Sequence, residues 1–318
     1  MTIPDDFNFV RYLAAKKAID DRALNRSVYA VLTQEIRRLE ADGPLRVLEL
    51  GAGIGTMIER LIAWKTFCSS HSDVFYTAID SDAACIAEAR RRLFRLNSAK
   101  GGDTQQNGDG RFVLLSGKER VFVELQTMDM FDFLHREQNH PRLDIVIGHA
   151  FLDLVDVPTA MPLIFSLLKP GGLFYFTLNF DGITIFEPAR ESDFETRILD
   201  IYHQSMDRRL VNGKPSGHSR TGRRLFHELR EAGGVILEAG SSDWAVFPRQ
   251  DSYTDDETYF LHFILHTINR ELRNHPRLDQ KQFSAWIEGR RLDVEQGRLV
   301  FIAHQMDFIG HLKREAPG

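Results

Sequence analysis

The stretch Val47–Met57, with the sequence VLELGAGIGTM, decides the fold. The apolar run Leu45–Leu50 predicts a buried strand, and Met57–Ala63 predicts the start of a helix. Between them, glycine recurs at the alternate positions 51, 53 and 55. Glycine accepts positive φ and lets a ligand approach the backbone closely, and the helix that follows directs free N–H groups toward the turn. The stretch therefore predicts a strand, a tight turn and a helix that bind an anion or a nucleoside.

The acid before the turn separates two classes of nucleotide-binding turn. A dinucleotide fingerprint needs glycine where this chain has Thr56, and a carboxylate at Glu49 would repel a pyrophosphate. The first motif of the class I S-adenosylmethionine-dependent methyltransferases is E/D-x-G-x-G-x-G. It is matched position for position by Glu49, Gly51, Gly53 and Gly55. The chain resembles this family, and the resemblance implies that the loop, including Ala52, holds the methionine end of the cofactor, which is cationic.

An acid at the end of the second predicted strand extends the resemblance. Val74–Asp80 predicts this strand, which ends in Asp80 and is followed by Ser81. In a doubly wound sheet the strand ends line a common crevice, where an acid can accept hydrogen bonds from both ribose hydroxyls. The family uses an acid in this way, so the resemblance implies that Asp80 binds the ribose and that Ser81 lies beside it. Helix capping is the alternative role for Asp80.

The exit of the next parallel strand carries a second acid. Val121–Leu125 predicts the strand, and Asp129 and Met130 follow it. The resemblance implies that Asp129 takes the adenine amino group and that Met130 packs against the adenine ring. Asp132 is the competing position, and an acid here is also suited to cap a helix.

Later elements complete the predicted fold, which is α/β. Leu143–Ala150 predicts a fourth strand, and the turn Lys169–Gly172 leads into a fifth strand, Leu173–Leu178, as is frequent in the family. Arg298–Phe308 predicts the last strand. The resemblance implies a doubly wound, mostly parallel, seven-stranded sheet whose last strand is antiparallel. We expect a methyltransferase domain over 45–318, with an inserted helical lid at about 180–220.

Two helices precede the first strand and predict an N-terminal helical lid over 1–44. Phe9–Asp20 and Ala23–Glu40 both have helical periodicity. Their polar face carries Tyr12, Lys16, Arg22, Asn25 and Arg26. This face either meets solvent or lies over the cofactor, in which case Arg22 or Arg26 would contact the cofactor carboxylate.

Methyl transfer from a sulfonium releases a neutral thioether, so the enzyme contributes chiefly by aligning the nucleophile. A base is needed only where the acceptor must lose a proton. His149, at the exit of the fourth strand, is the candidate catalytic residue, because a neutral imidazole titrates in the useful range. Contact with the cofactor or helix capping is its alternative role. The weaker candidates are Asp153, His203 and Asp207.

The composition and charge of the chain limit the classes of partner that we expect. The chain has 318 residues, a net charge of −5 and a pI of about 6.2, so a nucleic-acid substrate is not expected. With 2 cysteines, a disulfide framework or zinc-ligand spacing is not expected, and no metal is predicted. The N-terminal residues do not resemble a signal peptide, and no segment reaches the length of a membrane span, so we expect a cytoplasmic protein. The oligomeric state stays open.

The sequence therefore predicts a methyltransferase that uses S-adenosylmethionine to methylate a small-molecule acceptor. The apolar content of the proposed lid favours a partly apolar acceptor; this content comes from Ile183, Ile185, Phe186, Phe194, Tyr202 and Met206. Two alternatives remain, an NAD-dependent oxidoreductase on a related fold and a non-catalytic module that binds S-adenosylmethionine. O-, N- and C-methylation are equally compatible with the sequence.

Overall fold

The computed structural model describes residues 7–39, 43–67, 73–99, 112–116, 119–137, 143–190, 192–211 and 213–314. The stretch Ala99–Gly110 is rich in Gly, Asn, Gln and Asp, which predicts a surface loop; apart from Ala99 it lies outside the described residues, as does Cys68, one of the two cysteines. The helices are α1 (Phe9–Ala23), α2 (Arg26–Arg38), α3 (Thr56–Ala63), α4 (Ala83–Ala99), α5 (Met130–Glu137), α6 (Val157–Ser166), α7 (Ser192–Asp207), α8 (Thr221–Glu231), α9 (Asp255–Leu272) and α10 (Gln280–Glu295). The strands are β1 (Leu45–Leu50), β2 (Asp73–Asp80), β3 (Phe112–Ser116), β4 (Glu119–Thr127), β5 (Leu143–His149), β6 (Leu168–Glu187), β7 (Leu210–Val211), β8 (Lys214–Pro215), β9 (Gly234–Ser241), β10 (Trp244–Val246) and β11 (Val300–Leu312).

The central sheet is doubly wound. The strands β4, β2, β1, β5 and β6 lie side by side in this order and are parallel. The central strands β1 and β5 are almost completely buried, whereas β2 and β4 alternate between buried and more exposed residues. The helices α2, α3 and α4 pack on one face, and α5, α6 and α8 pack on the other. The parallel strands alternate with helices along the chain, and the helices cover both faces of the sheet. This arrangement confirms the predicted α/β fold class.

The last strand is antiparallel, as predicted. β11 pairs antiparallel with β6 on one side and with β9 on the other. The predicted count of seven strands is too low, because the described sheet has nine. β3 forms a hairpin with β4 at one edge, and β10 follows β9 along the same side of β11. These two short strands account for the difference.

The fifth parallel strand is much longer than predicted. We expected β6 to end at Leu178, but it continues to Glu187, so the first part of the expected insertion is sheet. The extension forms because the amino-terminal part of β11 pairs with it, with Val300 opposite Glu187. The extended parts of β6 and β11 are covered by a layer of four helices, which we call the roof: α1, α7, α9 and α10. The apolar side chains of the roof form a hydrophobic core separate from that of the parallel sheet.

A buried carboxylate controls the geometry at the middle of β6. Residues 177 and 178 of β6 lie opposite Asp307 alone, so β6 contains a bulge at which Leu178 has a φ of 55°. Asp307 is completely buried, and its Oδ1 accepts a hydrogen bond from Leu178 N at 2.7 Å. Its Oδ2 accepts a hydrogen bond from Asn25 N at 2.8 Å, just before α2 begins. Asp307 therefore ties the bulge to the N-terminal helices.

Replacement of Asp307 tests this role. In Asp307→Ala, two enclosed N–H groups lose their acceptor, so we expect the free energy of unfolding to fall by about 2–5 kcal/mol. Urea unfolding followed by circular dichroism measures this change. Asp243→Ala is the control, since this acid is 39% exposed, and its loss should cost less than about 1 kcal/mol. Equal stabilities of the two variants would contradict the assignment.

Candidate functional site

The glycine loop has the conformation that the sequence predicts. Gly51, Gly53 and Gly55 have φ values of 64°, 53° and 76°, which side chains with a Cβ rarely adopt. A Cβ on Gly51 would lie 2.1 Å from Cδ2 of Phe151, so this ring lies directly against the loop. A Cβ on Gly53 would lie 3.2 Å from a methyl group of Leu13 in α1. The N-terminal helix therefore reaches the loop and covers it.

Glu49 is a buried acid with a single close donor among the described residues. Its carboxylate is 1% exposed and accepts a hydrogen bond from the Tyr76 hydroxyl at 2.7 Å. Burial raises the pKa of Glu49 to about 7, although Tyr76 and the more distant Arg60 oppose this rise. Near neutral pH, Glu49 is therefore an acid that a cation placed beside it would ionise.

Asp80 joins the end of β2 to the glycine loop. Its Oδ2 accepts a hydrogen bond from Gly53 N, and its Oδ1 accepts one from Asp82 N, both at 2.8 Å. Each carboxylate oxygen has a further lone pair, so Asp80 keeps its capacity to bind hydroxyl groups. Burial raises the pKa of Asp80, while the two backbone donors oppose the rise. Ser81 is exposed beside it.

Asp129 fulfils the alternative role of a helix cap. Its Oδ1 accepts hydrogen bonds from Phe131 N at 2.8 Å and from Asp132 N at 3.3 Å at the start of α5. Met130 is buried in the apolar core, with 6% of its surface exposed. Asp132 is exposed in the first turn of α5. Oδ2 of Asp129 is the oxygen that this cap leaves for a ligand.

A cluster of buried charges lies where α1, α3 and β5 meet. Asp20 is completely buried, and its Oδ2 lies 3.0 Å from Nζ of Lys16 and 3.4 Å from the guanidinium of Arg60. Its Oδ1 accepts a hydrogen bond from the Trp244 indole at 2.9 Å. Arg60 also pairs with Asp21. The nearby cations hold the pKa of Asp20 well below its usual range despite burial, so Asp20 is ionised.

His149 belongs to this cluster. Nη1 of Arg60 lies 2.9 Å from its Nε2, and since arginine only donates, Nε2 is the unprotonated nitrogen. Nδ1 therefore carries the proton and donates to Oγ1 of Thr177 at 2.8 Å. Burial, followed by the charge of Arg60, lowers the pKa of His149 to about 4, although Asp20 opposes this change. The imidazole is neutral, its basic nitrogen is occupied, and the geometry favours a positioning role over a general base.

The other expected N-terminal contacts differ from those found. Arg22 pairs with Glu257 of α9 at 2.6 Å, so its charge is engaged there. The residues that approach the site from α1 are Lys16 and Asp20, which we did not single out for this role. Their signal in the sequence was the spacing of Tyr12, Lys16 and Asp20, because polar residues at i, i+4 and i+8 share one face of a helix.

The weaker catalytic candidates lie under the roof and at its margin. Nε2 of His203 is 3.0 Å from Oγ1 of Thr184, and burial lowers the pKa of this histidine. Asp207 accepts a hydrogen bond from Ser219 N at 2.7 Å near the chain surface. Asp153 differs from both, because its Oδ1 is enclosed and accepts no hydrogen bond from any residue that the structure describes.

Two cavities lie away from the glycine loop. One of about 280 Å³ is lined by side chains of β1 and β2 together with Phe122 and Phe133. Another of about 230 Å³ lies between the start of α6, Asp207 and α8. Within the described ranges, we find no group of three or more His, Cys, Asp and Glu side chains placed to hold a metal ion. In the same part of the chain, every helix is too short or too polar to span a bilayer.

Comparisons with known proteins show similarity at the level of three-dimensional structure. No protein-family model matches the sequence, and no curated protein matches it significantly. Phosphoethanolamine N-methyltransferase 2 of Haemonchus contortus, solved with S-adenosylhomocysteine, matches with a TM-score of 0.44 and 12% identity, over 96% of this chain and 58% of that protein.

Two further proteins also match. The YcgJ protein of Bacillus subtilis has a TM-score of 0.45 and 13% identity over 90% of this chain and 99% of its own. Geranyl diphosphate C-methyltransferase of Streptomyces coelicolor has a TM-score of 0.41 and 11% identity over 89% of this chain and 77% of its own. All three TM-scores lie below 0.5, so the fold assignment rests on the strand order and register of this chain.

The raised pKa of Glu49 predicts how stability depends on pH. The folded chain holds the Glu49 proton up to about pH 7, whereas the unfolded chain releases it near pH 4.5. Below pH 4.5, Glu49 is protonated in both the folded and the unfolded chain, so its burial carries no charge penalty. As the pH rises to 7, the unfolded chain releases the proton first, and the free energy of unfolding relative to Glu49→Gln should fall by about 3 kcal/mol.

Urea unfolding of both proteins from pH 4.5 to 8 measures this difference. In Tyr76→Phe, Glu49 loses its donor, so the fall should continue to a higher pH. A difference between the wild type and Glu49→Gln that does not change with pH would show that Glu49 keeps an ordinary pKa.

Proposed function

We propose that this chain, which has the class I methyltransferase fold, uses S-adenosylmethionine to methylate a small-molecule acceptor. The observation that carries the proposal is the joint geometry of Glu49, the glycine loop and Asp80. Asp80 comes from β2, yet it is hydrogen-bonded to Gly53 of the loop, and Glu49 is the penultimate residue of β1, the strand that leads into the same loop.

The residues present fit this cofactor. The three glycines present backbone without side chains, so a ligand can lie against the loop at Gly53 once Leu13 of α1 has moved away. None of the described residues places a cation in hydrogen-bond contact with Glu49, and the cationic methionine end of the cofactor would provide one. The free lone pairs of Asp80 suit the ribose hydroxyls, with Ser81 beside them, and Oδ2 of Asp129 suits the adenine amino group, with Met130 behind it.

The protein's part in the reaction is chiefly to orient the reactants. When bound, the cofactor supplies a methyl group on a sulfonium, and its departure as a thioether needs no acid. His149, held between Arg60 and Thr177, keeps the end of β5 in a fixed position beside the loop. Ala150, with a φ of 50°, turns the chain sharply there and directs Phe151 against Gly51. Alignment of this kind lowers the barrier by removing freedom of motion before the reaction.

The N-terminal helices act as a lid in this proposal. Leu13 lies over Gly53, and Lys16 and Asp20 extend the same helix to the buried charge cluster. The cofactor enters when α1 moves away from the loop, and the helix then closes over it. The second lid is the segment from α7 to Arg220, which follows the long strand β6.

Calorimetry tests the cofactor assignment. We expect saturable binding of S-adenosylmethionine and S-adenosylhomocysteine, and no binding of NADH. In Asp80→Ala, the charge-assisted hydrogen bonds to the ribose are lost, so both affinities should weaken by about 1–3 kcal/mol. Asp82→Asn, an exposed neighbour, is the control and should bind normally. Absence of binding at millimolar concentration would remove the proposal, and unchanged affinity in Asp80→Ala would remove the role of that residue.

Binding should also release a proton from Glu49. A cation beside Glu49 lowers its pKa from about 7, so at pH 7 the bound chain should release up to about half a proton. Calorimetry in buffers with different ionisation enthalpies measures this release. S-adenosylhomocysteine lacks the sulfonium charge and should release less, while Glu49→Gln should release none. Equal proton release by the wild type and Glu49→Gln would place the cation elsewhere.

A further inference from the structure

One row of side chains on the central sheet is left uncovered. Arg46 of β1, Phe75 of β2, Phe122 of β4 and Val113 of β3 are paired neighbours across four strands. Side chains of residues paired in this way project from the same face of the sheet. Both faces of a parallel sheet are normally covered, yet Phe75 is 38% exposed here and Arg46 is exposed beside it. An aromatic surface with a cation at its edge is therefore accessible to a ligand.

The helix that packs on this face is too short to cover the row. α5 has 8 residues and extends about 12 Å, whereas β4 has 9 residues and extends about 30 Å. Because α5 begins soon after the carboxyl end of β4, it covers the carboxyl halves of the strands, where Leu48 and Ile79 share a core with Phe133. The amino halves, which carry Phe75 and Phe122, extend beyond it.

The cavity of about 280 Å³ lies at this uncovered part. Arg46, Phe75 and Phe122 line it, together with Phe133 of α5 and Leu143 of β5. The rings of Phe75 and Phe122 are stacked, with their centroids 5.2 Å apart. A single turn of an α-helix with its side chains would occupy about 400 Å³, so the cavity suits a molecule of one or two rings and excludes a peptide helix.

The cation at the edge of the cavity has no acidic partner. The guanidinium carbon of Arg46 lies 5.5 Å from the centroid of the Phe75 ring, and Arg46 forms no ion pair with any residue that the structure describes. Asp144 of the neighbouring strand accepts a hydrogen bond from the backbone N–H of Arg46 and pairs with Lys169, both at 2.7 Å. The guanidinium therefore keeps its donors for a ligand.

The other charged groups around the cavity are engaged within the protein. Arg120 lies over Phe122 and donates two hydrogen bonds of 2.8 Å to Asp73. Glu124 accepts a hydrogen bond from the amide of Gln126 at 2.8 Å. Its strand lies two strands from β1, which is about 10 Å at the usual spacing, so Glu124 is remote from the Arg46 edge. An anion is attracted to that edge, and its apolar part lies toward the rings.

We propose that this cavity is a second small-molecule site, and that its ligand is a flat apolar system of one or two rings that carries a single carboxylate. The carboxylate binds the guanidinium of Arg46, whose planar fork matches it in geometry. The rings of the ligand lie against Phe75 and Phe122. The arginine selects the charge of the ligand, and the aromatic surface selects its flatness.

This site is separate from the one proposed for the cofactor. Phe75 lies in the amino half of β2 and Asp80 ends the same strand, so the stretch between them spans about 16 Å. The glycine loop likewise follows the carboxyl end of β1, whereas Arg46 lies near its start. The inference therefore stands independently of the proposed function.

Three probes with the same naphthalene ring test the site on the full chain. 2-Naphthoate is an anion, 2-naphthalenemethanol is neutral, and 2-naphthylmethylammonium is a cation. We expect 2-naphthoate to bind saturably with a dissociation constant of about 1 mM or lower. It should bind about tenfold more tightly than the neutral probe, because a charge-assisted hydrogen bond is added to the same ring contact, and the cation should bind most weakly. Calorimetry at neutral pH measures the three affinities.

Substitutions separate the role of the charge from that of the rings. Arg46→Met should weaken the binding of 2-naphthoate about tenfold and leave that of the neutral probe unchanged. Phe75→Ser should weaken all three probes about threefold to tenfold, and circular dichroism checks that this variant is folded. Arg249→Met is the matched control, because Arg249 also lies 5.5 Å from an exposed ring, that of Phe247, beyond β10 at the opposite end of the sheet. It should bind every probe as the wild type does.

Several results would overturn the inference. They are the absence of saturable binding by 2-naphthoate, equal binding of the neutral probe, and equal losses of affinity in Arg46→Met and Arg249→Met. Saturating S-adenosylhomocysteine should leave the affinity for 2-naphthoate unchanged, and competition between them would place the probe at the glycine loop instead. Sedimentation tests a second copy of the chain as the occupant, since a dimer that Phe75→Ser dissociates would make this face an interface. If S-adenosylhomocysteine does not bind, the proposed function fails while the probe series still decides this site.

Discussion

Asp20 is completely buried, and its ionised carboxylate must be satisfied where it lies. Three elements supply its partners: Lys16 comes from α1 itself, Arg60 from α3 and Trp244 from β10. Removal of one partner from such a group is strongly destabilising, because the remaining charge is left without compensation in a medium of low polarity. The first helix therefore has one favourable position on the sheet, directly above the ends of the strands.

That position determines the electrostatics of the site. Arg60 lies between Asp20, Asp21 and His149, and burial together with the charge of Arg60 lowers the pKa of the histidine, which is neutral. Glu49, in contrast, has a hydroxyl partner and no close cation among the described residues, so its acidity depends on what binds beside it. Within a small volume the chain thus keeps one carboxylate permanently ionised and another close to its midpoint. Differences of this kind between neighbouring acids are common at functional sites.

The parts of this structure that the sequence predicts are the local ones. The strand Leu45–Leu50 has the bounds predicted for it, and the loop glycines adopt positive φ, because apolar runs and alternate glycines act within a few residues. The length of β6 is not local, since Phe186 joins the sheet only through its pairing with Phe301, more than a hundred residues later. The role of Asp20 was missed for the same reason. A charged residue on a polar helical face looks solvated until its distant partners are known.

The continuity of β6 constrains how the molecule can move. A single strand of 20 residues runs from the parallel sheet, past Thr177 and the bulge at Leu178, into the roof, and β11 accompanies it along most of that length. A pair of strands bonded in this way is stiff, and it contains no linker about which the roof could swing as a rigid body. Access to the crevice must then come from helices that slide or detach individually. Truncation of the chain before β11 would also leave β6 with an unpaired sheet edge, so the roof and the sheet cannot be separated as folding units.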